Sequence, residues 1–314
     1  MITEYVLKSL PEVEKSSDSF MGAFIYMMRC KGVELEEEEI QLLYEGIRLE
    51  LIRGEQTYLQ ADFRGAVHNF CSQKDIPYKE RTISSRNFKF DVHNILIEDG
   101  PFMLALTSED YNYFRSYVRG AVPHCVTVTG IDSEGIYIAD GCSYPAHDMV
   151  FQGKLPFSMI LEMREDCQIW TASVDEEVEN KKIELGQELL PARERFLREN
   201  VELKPGSRLQ AGFNFCEYMS SESETLQGTA LCRVAENITA YTHIPQLRMI
   251  MRLFKREEEF YYTLSKLSRD WKVLVNYFVR ASFDFSFKNQ DMLIENYRAL
   301  LMREKEIYDE ILSS

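Results

Sequence analysis

The sequence predicts an α+β protein, with a helix and an antiparallel sheet in its first half and helices in its second. Residues 123–143, PHCVTVTGIDSEGIYIADGCS, are rich in β-branched residues on both sides of an Asp-Ser-Glu-Gly turn, a pattern typical of a β-hairpin. Residues 20–32 are apolar nearly all round and end at Gly32, which predicts a buried helix. Beyond about residue 174, long amphipathic stretches replace the strand-like ones.

The composition and charge of the chain limit the class of protein and the partners that we expect. The chain has 314 residues, of which 45% are hydrophobic and 28% charged, as in a soluble protein of one large or two ordinary domains. No apolar run has membrane-spanning length and the first residues lack a secretory signal, so a cytoplasmic location is expected. The net charge of −15 argues against nucleic acid as a partner and suits a cationic substrate, such as an amine or polyamine.

Cysteine and histidine spacing gives no sign of a metal or a disulfide framework. The seven cysteines are scattered without a CxxC pair, and the five histidines form neither HxH nor HExxH. We therefore expect reduced thiols, no metal and no bound cofactor.

The other elements of the first half follow from local periodicity. The segment 110–119, DYNYFRSYVR, is dense in aromatic residues, and Tyr111, Tyr113 and Tyr117 are candidates for lining a substrate cleft. Aromatic residues at this spacing more often serve packing. The predicted elements are a helix over 33–46, short strands within 47–59, a helix over 63–71, a strand over 76–81, a helix over 88–97 and a buried strand over 101–107.

The change of character near residue 165 predicts two domains, 1–165 and 166–314. In the second, Pro205-Gly206 and the serines of 220–223 mark breaks between helices, and 250–271 and 272–283 are predicted as separate helices. This half is expected to cover a substrate, dock a carrier protein or mediate dimerisation. A helical bundle that only supports the first domain is an equal alternative.

The hairpin carries the first candidate catalytic pair. If Ile131 faces Gly135 across the turn, Val126 faces Asp140, and His124 lies one diagonal step away on the same face of the sheet. A histidine and a carboxylate brought together in this way suit a general base and the group that orients it. A surface hairpin with two unrelated polar ends is the alternative.

Ser19 lies at or just before the start of the first helix. One interpretation is that Ser17, Asp18 or Ser19 is only the helix N-cap, the usual role of such residues. A nucleophile at Ser19 would instead benefit from the positive end of the helix dipole.

Other cysteines are weaker candidates for the nucleophile. Cys30 lies eleven residues further along the helix than Ser19, roughly 16 Å at 1.5 Å per residue, which is too far. Cys142 falls opposite His124 in the assumed register, but no helix N-terminus supports it. Cys125 points to the other face of the strand and is expected in the core.

The order of nucleophile, histidine and acid is that of papain-like enzymes. The segment DSFMGAFIYMMRCKG resembles the DCGPACLAMLLRYYG-like opening of the bacteriocin-processing peptidases, and PHCVTVTGIDSEGIYIADG resembles their HFVVVTGYDDDGVYVNDP-like segment. With DWKVLVNYF in the helical half, the whole chain is similar to the butirosin-biosynthesis protein H N-terminal family. Closthioamide-type amide synthases belong to the same group of related enzymes.

The resemblance implies a papain-like domain in which a nucleophile helix packs on an antiparallel sheet, with an added helical domain. It implies His124 as general base, Asp140 as its orienting group and position 19 as the nucleophile. The family has cysteine there and this sequence has Ser19, so a serine nucleophile, an engineered substitution and an inactive protein are all open. Where the peptidases have a glutamine for the oxyanion hole, this chain has Val13.

The same resemblance implies an acyltransferase of natural-product biosynthesis. An acyl group would pass from a thioester on an acyl carrier protein to residue 19 and then to an amine, forming an amide. The alternatives are a papain-like peptidase and a catalytically inactive binding protein of the same fold. A homodimer is a further expectation.

Overall fold

A computed structural model describes residues 4–7, 9–16, 18–44, 46–53, 57–107, 123–141, 150–160, 166–174, 186–224, 226–254, 257–284 and 289–314. The fold is α+β. Internal contacts divide the chain into two units: unit 1 comprises residues 1–40 and 63–184, and unit 2 comprises residues 41–62 and 185–314.

Unit 1 is built on a seven-stranded sheet whose described pairings are all antiparallel. Six strands follow the order β4-β9-β5-β6-β7-β8, and β1 pairs with β6. Antiparallel neighbours allow short hairpin connections, as between β6 and β7. The strands are β1 (Tyr5–Val6), β4 (Tyr78–Ile83), β5 (Phe102–Thr107), β6 (Pro123–Ile131), β7 (Gly135–Asp140), β8 (Phe151–Pro156) and β9 (Cys167–Ala172).

Helix α1 (Ser19–Cys30) packs on this sheet. The Thr127 hydroxyl of β6 donates to the carbonyl oxygen of Ala23 at 2.8 Å, and the fully buried Phe24 meets Phe70 edge to face. Burying an aromatic side chain of this size contributes roughly 1.5–3 kcal/mol, so the apolar pattern of 20–28 holds α1 in place. The further helices of the first half are α2 (Glu37–Leu43), α3 (Phe63–Gln73), α4 (Phe88–Glu98) with a 3-10 turn before it (Ser85–Asn87), and α5 (Phe157–Ile160).

The β6–β7 hairpin contains a β-bulge that the sequence did not predict. Ile131 pairs with Ile136, not with Gly135, so the predicted register at the turn is wrong. Between Val128 and Gly130 the register shifts by one residue, and from there Thr127 pairs with Ala139. One extra residue on β6 therefore restores, at the far end of the hairpin, the register that the sequence predicted for Asp140.

Unit 2 joins a small hairpin to a set of helices. The Asn237 side chain accepts from the N–H of Leu59 at 3.3 Å and donates to the carbonyl of the same residue at 2.8 Å, as a paired strand would. The elements are β2 (Leu49–Ile52), β3 (Tyr58–Ala61), α6 (Gly186–Val201), α7 (Arg208–Ser221), α8 (Thr229–Glu236), a π turn (Asn237–Tyr241), α9 (His243–Leu253), α10 (Glu258–Phe283) and α11 (Gln290–Ser313).

The predicted boundaries differ from this architecture in two respects. The predicted division at 165/166 places β9 in the second domain, whereas β9 pairs with β4 and β5 in unit 1. The predicted helix over 250–271 is broken, because α9 ends at Leu253 and α10 begins at Glu258, where glutamates favour a new helix start. Helix α10 then continues through the predicted break at 271/272. In the described residues, no helix is long and apolar enough to cross a membrane.

A fully buried ion pair lies among the helices of unit 2. The Arg208 guanidinium on α7 donates two hydrogen bonds, each of 2.9 Å, to the two carboxylate oxygens of Glu304 on α11. Arg208 also donates to Nδ1 of His243 at 2.9 Å, so the proton of this neutral imidazole is on Nε2, facing the Tyr297 hydroxyl. Burial, together with the charge of Arg208, lowers the pKa of His243 well below its usual value.

Breaking this pair is expected to destabilise unit 2 strongly. Glu304→Gln leaves a buried guanidinium without its counter-charge, which costs about 3–5 kcal/mol of unfolding free energy. Chemical denaturation monitored by circular dichroism measures the loss. The control is Arg198→Met, which removes an exposed pair with Glu194 and changes stability by no more than about 0.5 kcal/mol. Equal effects of the two substitutions would contradict the prediction.

Candidate active site

The start of α1 is capped by Asp18, so Ser19 is not the capping residue. The Asp18 carboxylate accepts from the N–H of Phe20 at 2.8 Å and from that of Met21 at 3.1 Å. Burial raises the pKa of Asp18, and the backbone hydrogen bonds and the nearby His124 partly oppose this rise. Because Asp18 supplies the cap, the hydroxyl of Ser19, the first helical residue, is available for another role.

The predicted base and orienting acid are in direct contact. Nε2 of His124 lies 2.7 Å from Oδ2 of Asp140, and the two residues are only 1% and 3% exposed. A carboxylate only accepts, so Nε2 carries the proton and Nδ1 carries the lone pair of the neutral ring. A buried carboxylate that fixes the tautomer of a histidine is the arrangement by which Ser-His-Asp triads orient their general base.

Ser19 reaches β6 beside this pair. The N–H of Cys125, the residue after His124, donates to the Ser19 hydroxyl oxygen at 3.3 Å. Because the hydroxyl accepts this bond, its own proton remains available for donation to a base. The Ser19 hydroxyl therefore lies at the peptide group next to His124, whose side chain contacts Asp140.

The segment before α1 passes close to the end of β7, where Asp140 lies. The N–H of Ser16 donates to the carbonyl oxygen of Gly141 at 2.6 Å. A Cβ on Gly141 would lie 2.3 Å from the carbonyl oxygen of Glu14, and one on Gly22 would lie 2.6 Å from the Cβ of Ser16. Only glycine permits these approaches, so both residues help to hold the start of α1 next to the strand end that carries Asp140.

The position where the peptidases have glutamine supplies no side-chain donor for an oxyanion hole. Val13 is buried in a small apolar cluster with Tyr26 and Ala139 and offers no side-chain donor. At the helix start, the N–H groups of Phe20 and Met21 point to Asp18. The main-chain N–H of Ser19 also hydrogen-bonds the Asp18 carboxyl, which opposes the rise of its pKa.

Of the other residues considered from the sequence, the structure describes Cys30 and Cys125. Cys30 is the last residue of α1, at the end opposite Ser19, and burial raises its pKa to about 12. Cys125 is buried as expected, and burial together with the charge of Asp18 raises its thiol pKa. Cys142 and the three tyrosines proposed to line a substrate cleft lie outside the described residues; these tyrosines are Tyr111, Tyr113 and Tyr117.

One neighbour of the site was missed from the sequence. The exposed guanidinium of Arg64 on α3 stacks over the ring of Trp170 at 5.0 Å and over that of Phe20, next to Ser19, at 5.4 Å. Its charge also lowers the pKa of Cys125, against the larger effect of burial. No local motif predicts a role for Arg64, because the two rings that it contacts lie on α1 and β9, which are distant from it in sequence.

Comparisons with protein-family models and with curated proteins find no match to this chain. The geometry of the site therefore carries the functional argument.

A cysteine placed at position 19 is expected to be unusually reactive. In Ser19→Cys, a nearby imidazolium would stabilise the thiolate against the opposing charge of Asp18 and lower its pKa below the ordinary value of about 8.5. Iodoacetamide at about pH 6 should then label the peptide containing residue 19. The peptides of Cys30 and Cys71, whose pKa values burial raises to about 12, should stay unlabelled. Peptide mass spectrometry measures both.

Two variants serve as controls for this labelling. Ser221→Cys places a thiol at an exposed position near the end of α7, where it should react with an ordinary pH dependence. Adding His124→Ala to Ser19→Cys should slow labelling at pH 6 at least about tenfold, as the thiolate loses its counter-ion. Equal labelling with and without His124 would show that the two positions are not coupled.

Proposed function

We propose that the chain is an acyltransferase that moves an acyl group from a thioester to an amine through an acyl-enzyme on Ser19. The observation that carries this proposal is the buried 2.7 Å contact between His124 and Asp140 beside the start of α1, where the Ser19 hydroxyl lies. The order of these three residues, and the resemblance of their segments to the papain-like butirosin-biosynthesis protein H N-terminal family, also support it.

The first half-reaction acylates the serine. The Ser19 hydroxyl turns from the main chain of Cys125 toward Nδ1 of His124, which takes its proton as the oxygen attacks the thioester carbonyl. A carbon–oxygen bond forms and the carbon–sulfur bond breaks. The imidazolium returns the proton to the departing thiolate, while Asp140 stabilises the positive ring and holds its orientation.

The second half-reaction consumes the acyl-enzyme. The amine nitrogen attacks the ester carbonyl, a carbon–nitrogen bond forms, and the bond to Ser19 breaks. His124 accepts the proton of the amine and returns one to the serine oxygen. The net charge of −15 favours approach of a cationic amine, so composition supports transfer to an amine over transfer to water.

The resemblance extends the proposal to its partners. The acyl thioester would be carried by the phosphopantetheinyl arm of an acyl carrier protein, and the reaction would belong to natural-product assembly in the cytoplasm. The residues that hold the thioester and the amine are to be sought beside Ser19, where Arg64 offers an exposed cation.

A non-catalytic binding protein is the second candidate, and one observation favours it. The Asp18 carboxylate already accepts the N–H groups of Phe20 and Met21, the place where an oxyanion would otherwise find donors. A peptidase of the same fold would share the site but not need an amine acceptor. Product analysis separates the three.

The test is a reaction of the purified protein with an acyl N-acetylcysteamine thioester and a polyamine, followed by mass spectrometry. We expect amide product and a transient protein adduct of the acyl mass on the peptide containing Ser19. Ser19→Ala should abolish both, and His124→Ala should slow acylation by roughly 10²–10⁴-fold, since a positioned base contributes that much. Asp140→Asn should act through the histidine and lower the rate by up to about 10⁴-fold.

The matched control is His68→Ala, which removes an exposed histidine on α3 and should leave the rate unchanged. Hydrolysis of peptides without amide formation would favour the peptidase. The absence of both product and adduct, in the natural sequence and in Ser19→Cys, would favour the binding protein.

A further inference from the structure

Beyond its first turn, where Glu258 and Glu259 lie, the outer side of helix α10 carries cations and aromatic residues and almost no acids. We call this part, from Tyr261 to Phe283, the α10 face. Between Tyr261 and Phe283 the helix has a single carboxylate, Asp270, which is paired with Arg303. The exposed residues of this stretch are Tyr261, Tyr262, Lys266, Arg269, Lys272, Val273, Asn276, Tyr277, Arg280 and Phe283.

These residues share one side of the helix. At 3.6 residues per turn they fall within less than half of its circumference, and the apolar residues packed in unit 2 occupy the other side. Tyr262 is 65% exposed and Phe283 is 76% exposed. Large apolar groups exposed together on one surface mark a site of interaction more often than a single exposed residue does.

The charge of the α10 face is opposite to that of the chain. The sequence has 51 acidic and 36 basic residues, yet this face carries four cations. Among the residues that the structure describes, no carboxylate lies within ion-pair distance of these four cations, which are Lys266, Arg269, Lys272 and Arg280. In a chain with such an excess of acids, cations left without carboxylate partners suit an acidic partner.

We propose that the α10 face binds an acidic protein surface on which carboxylates surround exposed apolar groups. An acyl carrier protein of that character is the partner that the proposed function requires, so this identification rests on that function. The face is about 33 Å long, from 22 helical steps of 1.5 Å, and presents ten residues. This is fewer than in a standard interface, so we expect a transient complex whose affinity falls with salt.

Two other occupants fit the α10 face less well. A second copy of the chain would place four cations against four cations if the contact were symmetric, which is repulsive. A membrane-surface helix buries one continuous apolar face. Here the apolar face of α10, with Leu264, Trp271 and Phe278, is already buried in unit 2, and cations lie among the exposed aromatic residues.

The experiment measures binding of a purified, acidic holo acyl carrier protein to the Ser19→Ala variant by isothermal titration calorimetry. The variant excludes turnover, so binding is read independently of activity. We expect a micromolar Kd at 50 mM NaCl that weakens at least tenfold at 300 mM. Lys266→Glu with Arg269→Glu should weaken binding at least tenfold at 50 mM NaCl, and Tyr262→Ala with Tyr277→Ala should also weaken it.

The matched control is Arg233→Glu with Arg248→Glu, which makes the same charge change at exposed positions on α8 and α9. It should leave the Kd within about twofold. Equal weakening by both charge reversals, or no binding of the carrier, would overturn the proposal.

Two further measurements test the competing occupants. Sedimentation that shows a dimer dissociated by the α10 face substitutions, or binding of the wild-type protein to anionic vesicles that those substitutions remove, would also overturn it. Failure of acyl transfer from the small thioester, with carrier binding intact, would instead count against the proposed function alone.

Discussion

The candidate site depends on the pairing of β6 with β7, because that pairing brings His124 to Asp140 in a buried environment. The two side chains lie at the end of the hairpin opposite the turn, so any slip of one residue would move one of them to the other face of the sheet. The bulge between Val128 and Gly130 sets the register there, and the pairing of β6 with β5 on its other side holds the strand in place.

The helix start adds a second constraint. A helix N-terminus needs a cap, and Asp18 caps α1 by accepting from the N–H groups of Phe20 and Met21. The same N–H groups would otherwise stabilise a negative oxygen during acyl transfer. Capping and oxyanion stabilisation therefore compete for donors at this point. The Ser19 hydroxyl accepts from the main chain of β6 and keeps its own proton for donation.

Unit 2 uses its polar groups in two contrasting ways. Arg208 and Glu304 are fully buried and satisfy each other among the helices, which favours one arrangement of the bundle. On the outer side of α10, the cations remain exposed among aromatic residues. Burial means that the first set acts on the stability of unit 2, whereas exposure leaves the second set accessible to a partner.

Local sequence patterns were sufficient to predict several helices and strands of this protein. The apolar run of residues 20–32 predicted α1, the turn at 132–135 predicted the hairpin, and the residues 102–107 formed the expected buried strand. His124 and Asp140 were also predicted as a pair, since strands that alternate on both sides of a short turn place their ends together. The break between α9 and α10 near residue 254 was not predicted, because a charged stretch within a helical pattern does not by itself show where a helix ends.

Tertiary structure decided what no short stretch of sequence contains. The pairing of β9 with β4, the stacking of Arg64 on Trp170 and the buried contact of Arg208 with Glu304 all join residues far apart along the chain. Such contacts form because folding brings distant surfaces together to bury apolar area. The sequence by itself determined the hairpin, the helix, their polar residues and the three candidates for the cap of α1, because capping hydrogen bonds join residues only two or three positions apart. Only the tertiary structure determined that Ser19 meets β6 beside His124.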